Sequence, residues 1–131
     1  MFYALCFMII GIDASRAFSL QRTGIEEYSF QVIKYLIGEL ADQPVVLYVR
    51  RGQKVAFEIP RPWTVREVKW PWFWTQLGLS WEMLRHPVDV LFIPSHVVPI
   101  VHPQRTIVTV HGLEYEFFPE ECDRRICRES P

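Results

Sequence analysis

A polar loop and a single histidine contain the residues of this sequence that could act on a ligand. One is a loop that contains Arg16 and Arg22 and ends at Thr23 and Gly24, directly before an amphipathic stretch. The other is His111, which ends an apolar stretch. Free backbone N–H groups at a helix start can bind phosphate, and arginines can bind anions. A histidine can donate a hydrogen bond to a sugar hydroxyl or transfer a proton.

Each of these residues also has a structural interpretation. Glu26 and Glu27 place negative charge in the first turn of the expected helix. That charge stabilises the helix but repels anions, so Gly24 fits an ordinary helix cap as well as a ligand contact. Arg16 and Arg22 fit a solvated loop as well as an anion site. One glycine is also weaker evidence than a complete phosphate-binding fingerprint, which the chain lacks.

The elements that must position these residues alternate between strands and helices. Apolar runs predict strands at residues 6–12, 45–49, 65–70, 89–94 and 105–110, and helical spacing predicts helices over residues 25–40 and 70–84. Thr23 followed by Glu26 predicts a capping box at the first helix. The alternation predicts an α/β fold: a Rossmann-like parallel sheet with helices on both faces.

The expected topology gathers the candidate residues at one edge of the sheet. Right-handed crossovers place the carboxyl ends of parallel strands together, and open α/β sheets bind ligands there. We expect Asp13, His96 and His111 at this edge. Asp13 fits a hydrogen bond to its own loop better than a ligand contact. His96 lies in a proline-rich loop and is a weaker ligand candidate than His111.

The length and composition of the chain limit the classes of function that it can have. The 131 residues suffice for one domain with a core, and a net charge of −1 gives no reason to expect a nucleic-acid partner. The three cysteines, Cys6, Cys122 and Cys127, form neither a disulfide framework nor a metal site, which favours a cytoplasmic protein. We expect no bound metal, and no apolar run is long enough to cross a membrane.

Four segments together resemble a known family. Residues 11–16 and 22–28 resemble the opening of family 4 glycosyltransferases (glycosyl transferase group 1). Residues 89–94 and 109–120 resemble later segments of the same N-terminal domain, in the correct order and at the correct spacing. The resemblance implies a GT-B fold, in which two Rossmann-like domains face each other across a cleft. Residues 1–131 would form the N-terminal, acceptor-side domain.

The family resemblance also implies a reaction. Such enzymes move a sugar, typically a hexose, from a nucleotide-sugar substrate to an acceptor with retention of configuration, and they need no metal or other cofactor. Gly24 matches the glycine loop that approaches the donor phosphates or the acceptor, and His111 matches the histidine that reaches the transferred sugar. Many relatives have aspartate after this histidine, whereas this chain has Gly112. A role for an adjacent carboxylate is therefore not transferred.

The family's C-terminal, donor-binding domain does not follow within the 131 residues. We therefore expect a truncated chain that is inactive alone, because oriented donor binding supplies much of the rate. The acceptor could be a glycan, a small molecule or a lipid-linked sugar. Aromatic residues within 70–81 fit either a core or an apolar acceptor-side surface. Such a surface could associate peripherally with the inner face of the membrane. The alternative function is a free-standing α/β ligand-binding or partner module without catalysis.

Overall fold

The fold is a five-stranded sheet with helices against it. A computed structural model describes residues 8–70 and 72–111. The strands are β1 (Ile10–Asp13), β2 (Val45–Arg50), β3 (Trp63–Val68), β4 (Val90–Ile93) and β5 (Arg105–Val108). The helices are α1 (Gly24–Glu39) and α2 (Ser80–Arg85), and a π-helical turn at Trp74–Leu79 leads directly into α2. All strands pair in parallel in the order β3-β2-β1-β4-β5, which confirms the predicted Rossmann-like α/β class.

The α1 face of the sheet carries the first half of the core. Alternate residues of β1 and β2, such as Ile12 and Leu47, point to this face and pack with Ile33 of α1. All three side chains are fully buried. Burying a side chain of this size contributes about 1.5–3 kcal/mol. Trp63 extends the same cluster to β3, and its ring Nε1–H donates to the Leu40 carbonyl at 2.8 Å, which holds the end of α1 to the sheet edge.

The opposite face packs against the π-helical turn and α2. Tyr48, Leu91 and Ile93 point to this side and form a second core cluster with Leu79 and Met83. Helical segments therefore cover both faces of the sheet, as the sequence predicts. Among residues 8–70 and 72–111, neither helix has the length and apolar character needed to cross a bilayer.

The single helix predicted over residues 70–84 is wrong at its start. Phe73 adopts a left-handed conformation with φ of 50°. A left-handed residue cannot belong to a right-handed helix, so helical structure begins only at Trp74. The Phe73 carbonyl accepts the Leu77 amide at 2.8 Å and closes the first turn. The preceding strand also lies earlier than predicted, at Trp63–Val68 rather than 65–70.

The centre of the sheet requires a residue without a side chain at Gly11. A Cβ built there would lie 2.9 Å from Tyr48 Cε2, 3.1 Å from Val88 Cγ2 and 3.2 Å from Leu91 Cδ1. These neighbours belong to the second core cluster. Glycine therefore lets the second cluster close directly over β1.

We predict that Gly11→Ala destabilises the fold. Overpacking a closed core costs about 1–3 kcal/mol, so the free energy of unfolding in denaturant should fall by that amount. Gly38→Ala is the matched control, because a Cβ on this α1 glycine meets no atom within 4 Å. Alanine in a helix is favoured by about 0.5–1 kcal/mol, so this variant should be slightly more stable. Equal stability of the two variants would contradict the packing argument.

Candidate functional site

The strand order places a topological switch point at the carboxyl ends of β1 and β4. The chain runs from β1 to β2 and β3 on one side of the sheet and then returns to β4 on the other side of β1. In open α/β sheets, ligands bind at the carboxyl edge where the strand order reverses in this way. Here β1 ends at Asp13 and β4 at Ile93, so the loops that follow these two residues flank the switch point.

Asp13 organises the first of these loops. Its side chain is only 2% exposed, and its Oδ1 accepts both the Ser15 amide at 3.0 Å and the Ser15 hydroxyl at 2.7 Å. The structural role expected for Asp13 is therefore present. Gln53 braces the same loop by donating from Nε2 to the Ser15 carbonyl at 2.8 Å. The second carboxyl oxygen of Asp13 is buried and has no hydrogen-bond partner within residues 8–70 and 72–111.

Burial dominates the titration of Asp13. Loss of solvent raises the pKa of this carboxyl, and only part of the effect is offset by the Ser15 hydrogen bonds and the charges of Arg50 and Arg16. A protonated Asp13 could donate a hydrogen bond from its second oxygen, whereas the ionised form could only accept one. The Asp13 carboxyl therefore stays neutral to a higher pH than the carboxyl of an exposed aspartate.

The start of α1 is capped as the sequence predicts. Thr23 is the N-cap, and its amide donates to Glu26 Oε2 at 3.1 Å in a capping box that also joins the two side chains. Burial would raise the pKa of Glu26, but hydrogen bonds from Thr23 and the backbone, with the Arg16 charge, lower it overall. The amides of Gly24 and Ile25 belong to the first turn, where no intrahelical acceptor exists. They are the backbone donors that a ligand could reach.

Both loop arginines pair with the first turn of α1. Arg16 Nη1 lies 3.3 Å from Glu26 Oε1, and Arg22 Nη1 lies 3.7 Å from Glu27 Oε2. Arg22 also stacks over the ring of Phe30, with its guanidinium carbon 4.2 Å from the ring centroid. These pairs neutralise the acidic turn that would otherwise repel anions. Both arginine side chains remain about two-fifths exposed (42%), so an incoming anion could still reach them.

His111 is held at the same edge by two elements. Its Nε2 lies 2.5 Å from the carbonyl oxygen of Pro94, the residue after β4. Because a carbonyl only accepts, Nε2 must carry the proton, and Nδ1 of a neutral ring is then an acceptor. The Tyr28 ring of α1 packs edge-on against the imidazole at a centroid distance of 4.7 Å. The Tyr28 hydroxyl lies 3.3 Å from Thr109 Oγ1.

These contacts bring together residues that are far apart in the sequence. Tyr28 lies one helical turn after Gly24, which is about 6 Å along α1 at 1.5 Å per residue. His111 therefore contacts α1 one turn after the turn that begins at Gly24. His96 lies in the loop after β4, where its side chain is exposed.

Sequence reasoning missed Tyr28, Thr109 and Gln53 as parts of the site. Tyr28 shares the apolar helical spacing of α1, which is typical of a core position, although its side chain is 38% exposed. A residue with a hydroxyl group at an apolar position of the helix was the sequence signal that could have identified it. Gln53 is 38 residues from its partner Ser15, and no local pattern marks such a contact.

Neither metal chemistry nor known relatives identify the site. Within residues 8–70 and 72–111, no group of three His, Cys, Asp or Glu side chains could hold a metal ion. Cys6, Cys122, Cys127 and Gly112 lie outside the described residues. No family model, curated protein or solved structure matches this chain.

We predict that Asp13 imposes a pH dependence on stability. A carboxyl whose pKa is raised by folding binds more protons in the native state, so stability is lost as pH rises from its ordinary pKa through the raised one. Asp13→Asn should remove this loss. The difference in unfolding free energy between wild type and variant should fall across that window and then level off. The exposed Asp42→Asn is the control for loss of one carboxylate, and parallel curves for Asp13→Asn and wild type would contradict the prediction.

Proposed function

We propose that this chain forms the acceptor-side domain of a retaining glycosyltransferase that uses a nucleotide-sugar. The observation that carries the proposal is the position of His111 between the Pro94 carbonyl and the Tyr28 ring, one helical turn from Gly24. Two features of the resemblance, the glycine at position 24 and the histidine at position 111, are 87 residues apart in the sequence. In the fold they belong to one edge.

His111 is suited to contact a sugar. The hydrogen bond from Nε2 fixes the ring and leaves Nδ1 as the acceptor of the neutral imidazole. In the proposed complex, Nδ1 accepts a hydrogen bond from a hydroxyl of the transferred sugar. The Tyr28 ring restricts rotation of the imidazole, so the acceptor is oriented before the sugar arrives. Such pre-orientation lowers the entropic cost of reaching the transition state.

Gly24 is suited to contact the donor phosphates or the acceptor. A Cβ at this position meets no atom within 4 Å, so the protein itself does not require glycine there. Open space beside a first-turn amide allows an anionic group to approach the backbone closely. Arg16 and Arg22 could exchange their glutamate partners for such a group, because partly exposed ion pairs contribute only about 0–1 kcal/mol.

In the proposed reaction, the bond between the sugar's anomeric carbon and the donor phosphate breaks, and a bond to the acceptor hydroxyl forms on the same face. The acceptor proton passes to the departing phosphate. A second domain would bind most of the nucleotide, and this chain would hold the acceptor and orient the sugar. The proposed setting is the cytoplasm.

A binding module without catalysis is the second candidate. The pairing of Arg16 with Glu26 and of Arg22 with Glu27 favours it, since a loop whose cations are already engaged suits a neutral polar ligand. Equal affinity for a free sugar and for its nucleotide-linked form would support the module. Stronger binding of the nucleotide-linked form would support the transferase.

We predict that a nucleotide-sugar shifts the NMR signals of the Gly24 amide and the His111 imidazole together. Titration with UDP-, GDP- and ADP-sugars should identify the donor. Gly24→Ala should fold normally but bind about tenfold more weakly, because its methyl group occupies space the ligand needs. Gly38→Ala is the binding control. Unchanged affinity in Gly24→Ala, or shifts confined to other residues, would contradict the proposed site.

We predict that transfer requires His111 and a donor-binding domain. The chain alone should show no turnover of nucleotide-sugars. When a donor-binding domain completes the enzyme, His111→Ala should lower kcat by about 100-fold or more while the protein remains folded. His86→Ala, at the exposed end of α2, is the matched control. Product assays that find robust transfer by the chain alone, or near-normal turnover in His111→Ala, would refute the corresponding claim.

A further inference from the structure

An apolar surface lies around the π-helical turn, on the face of the sheet opposite α1. Trp72 and Phe73 are 76% and 72% exposed, far more than core aromatics. Further large apolar side chains around them are also exposed to solvent. Together these residues form the aromatic patch: Trp70, Trp72, Phe73, Leu77, Trp81 and Leu84.

The packing of the turn against the core keeps the aromatic patch exposed to solvent. The inner side of the turn is anchored by buried Trp74, whose ring Nε1–H donates to the Val68 carbonyl at 3.2 Å. Gly78 packs tightly on the same side, where a Cβ would lie 2.9 Å from Val68 Cγ1 and 3.0 Å from Trp70 Cβ. With this side fixed to the core, Leu77 and Trp81 stay on the outer side. π-helical turns are rare and occur frequently at functional sites.

The charges beside the patch are mainly positive. Lys69 and Arg85 are exposed, and neither forms an ion pair within the described ranges 8–70 and 72–111. Arg85 lies over the Trp81 ring at 5.8 Å. The nearby carboxylate of Glu82 is already bound by Arg66 at 3.0 Å. The patch is therefore an apolar surface beside two cations that have no ion-pair partner in the part of the chain that the structure describes.

We propose that the aromatic patch docks on a lipid bilayer containing anionic headgroups. Tryptophan and phenylalanine insert at the boundary between headgroups and acyl chains, and flanking lysine and arginine bind anionic lipid. The cationic rim favours such a surface over a second copy of this chain, which would bring like charges together. The inference is independent of the proposed transfer, because vesicle binding needs neither donor nor acceptor.

Flotation of the full chain with vesicles tests this inference. The chain should float with vesicles of phosphatidylcholine and phosphatidylglycerol, and more weakly with phosphatidylcholine alone. Trp72→Ser combined with Phe73→Gly should reduce partitioning by about tenfold or more, because both anchors are removed. Lys69→Gln should reduce it by about fivefold on the anionic vesicles, the effect of one surface cation.

Two controls keep the result interpretable. Tyr35→Ser removes an equally exposed aromatic from α1 and should leave partitioning unchanged. Phe73→Gly alone relieves the left-handed conformation, so its thermal stability should not fall, and reduced flotation cannot then be attributed to unfolding. No flotation of the wild type, or equal flotation of the Trp72/Phe73 variant, would overturn the proposal. So would concentration-dependent dimers in sedimentation that the Trp72/Phe73 variant abolishes while vesicle binding persists.

Discussion

The pairing of β1 on both sides is the constraint on which the rest of the fold depends. β1 has only four residues, yet it is hydrogen-bonded to β2 on one side and to β4 on the other. The close approach over Gly11 lets one core cluster close against it, and Ile12 joins the other. Because both neighbours run parallel to β1, their carboxyl ends must meet where β1 ends. The loop after Asp13 and the Pro94 carbonyl that holds His111 are positioned by that pairing.

The charged residues at this edge form weak interactions that a ligand could replace. Asp13 is buried at a cost that the two Ser15 hydrogen bonds offset only in part, so its pKa is raised. Arg16 and Arg22 neutralise the first turn of α1 through contacts that leave the guanidinium groups partly exposed. An acidic helix start alone would repel an anion. With arginines paired to it, the turn is neutral and can rearrange, since such pairs contribute little to stability.

Local patterns predicted the elements well and the contacts between them poorly. The continuous β-branched run at residues 45–49 corresponds to β2, and the apolar stripe at 25–40 to α1, because both elements are determined by burial of their own side chains. The predicted helix over 70–84 is wrong at Phe73, because its left-handed conformation cannot be recognised from hydrophobic periodicity. The contact between Tyr28 and His111 spans 83 residues and arises only once the sheet has formed. The edge at which the candidate residues gather was predictable from topology, but the orientation of His111 was not.

The contrast between two left-handed positions bears on the role of the aromatic patch. At Gly52, with φ of 81°, the chain uses the residue that adopts this conformation without strain. At Phe73 it keeps a large side chain in the left-handed region, which costs about 1–2 kcal/mol. Burial could offset that cost, but Phe73 is 72% exposed, so the isolated chain gains little from its ring. Folding energetics alone would favour glycine at both positions. The proposed contact with an anionic membrane surface would supply the stabilisation that the isolated chain lacks at Phe73.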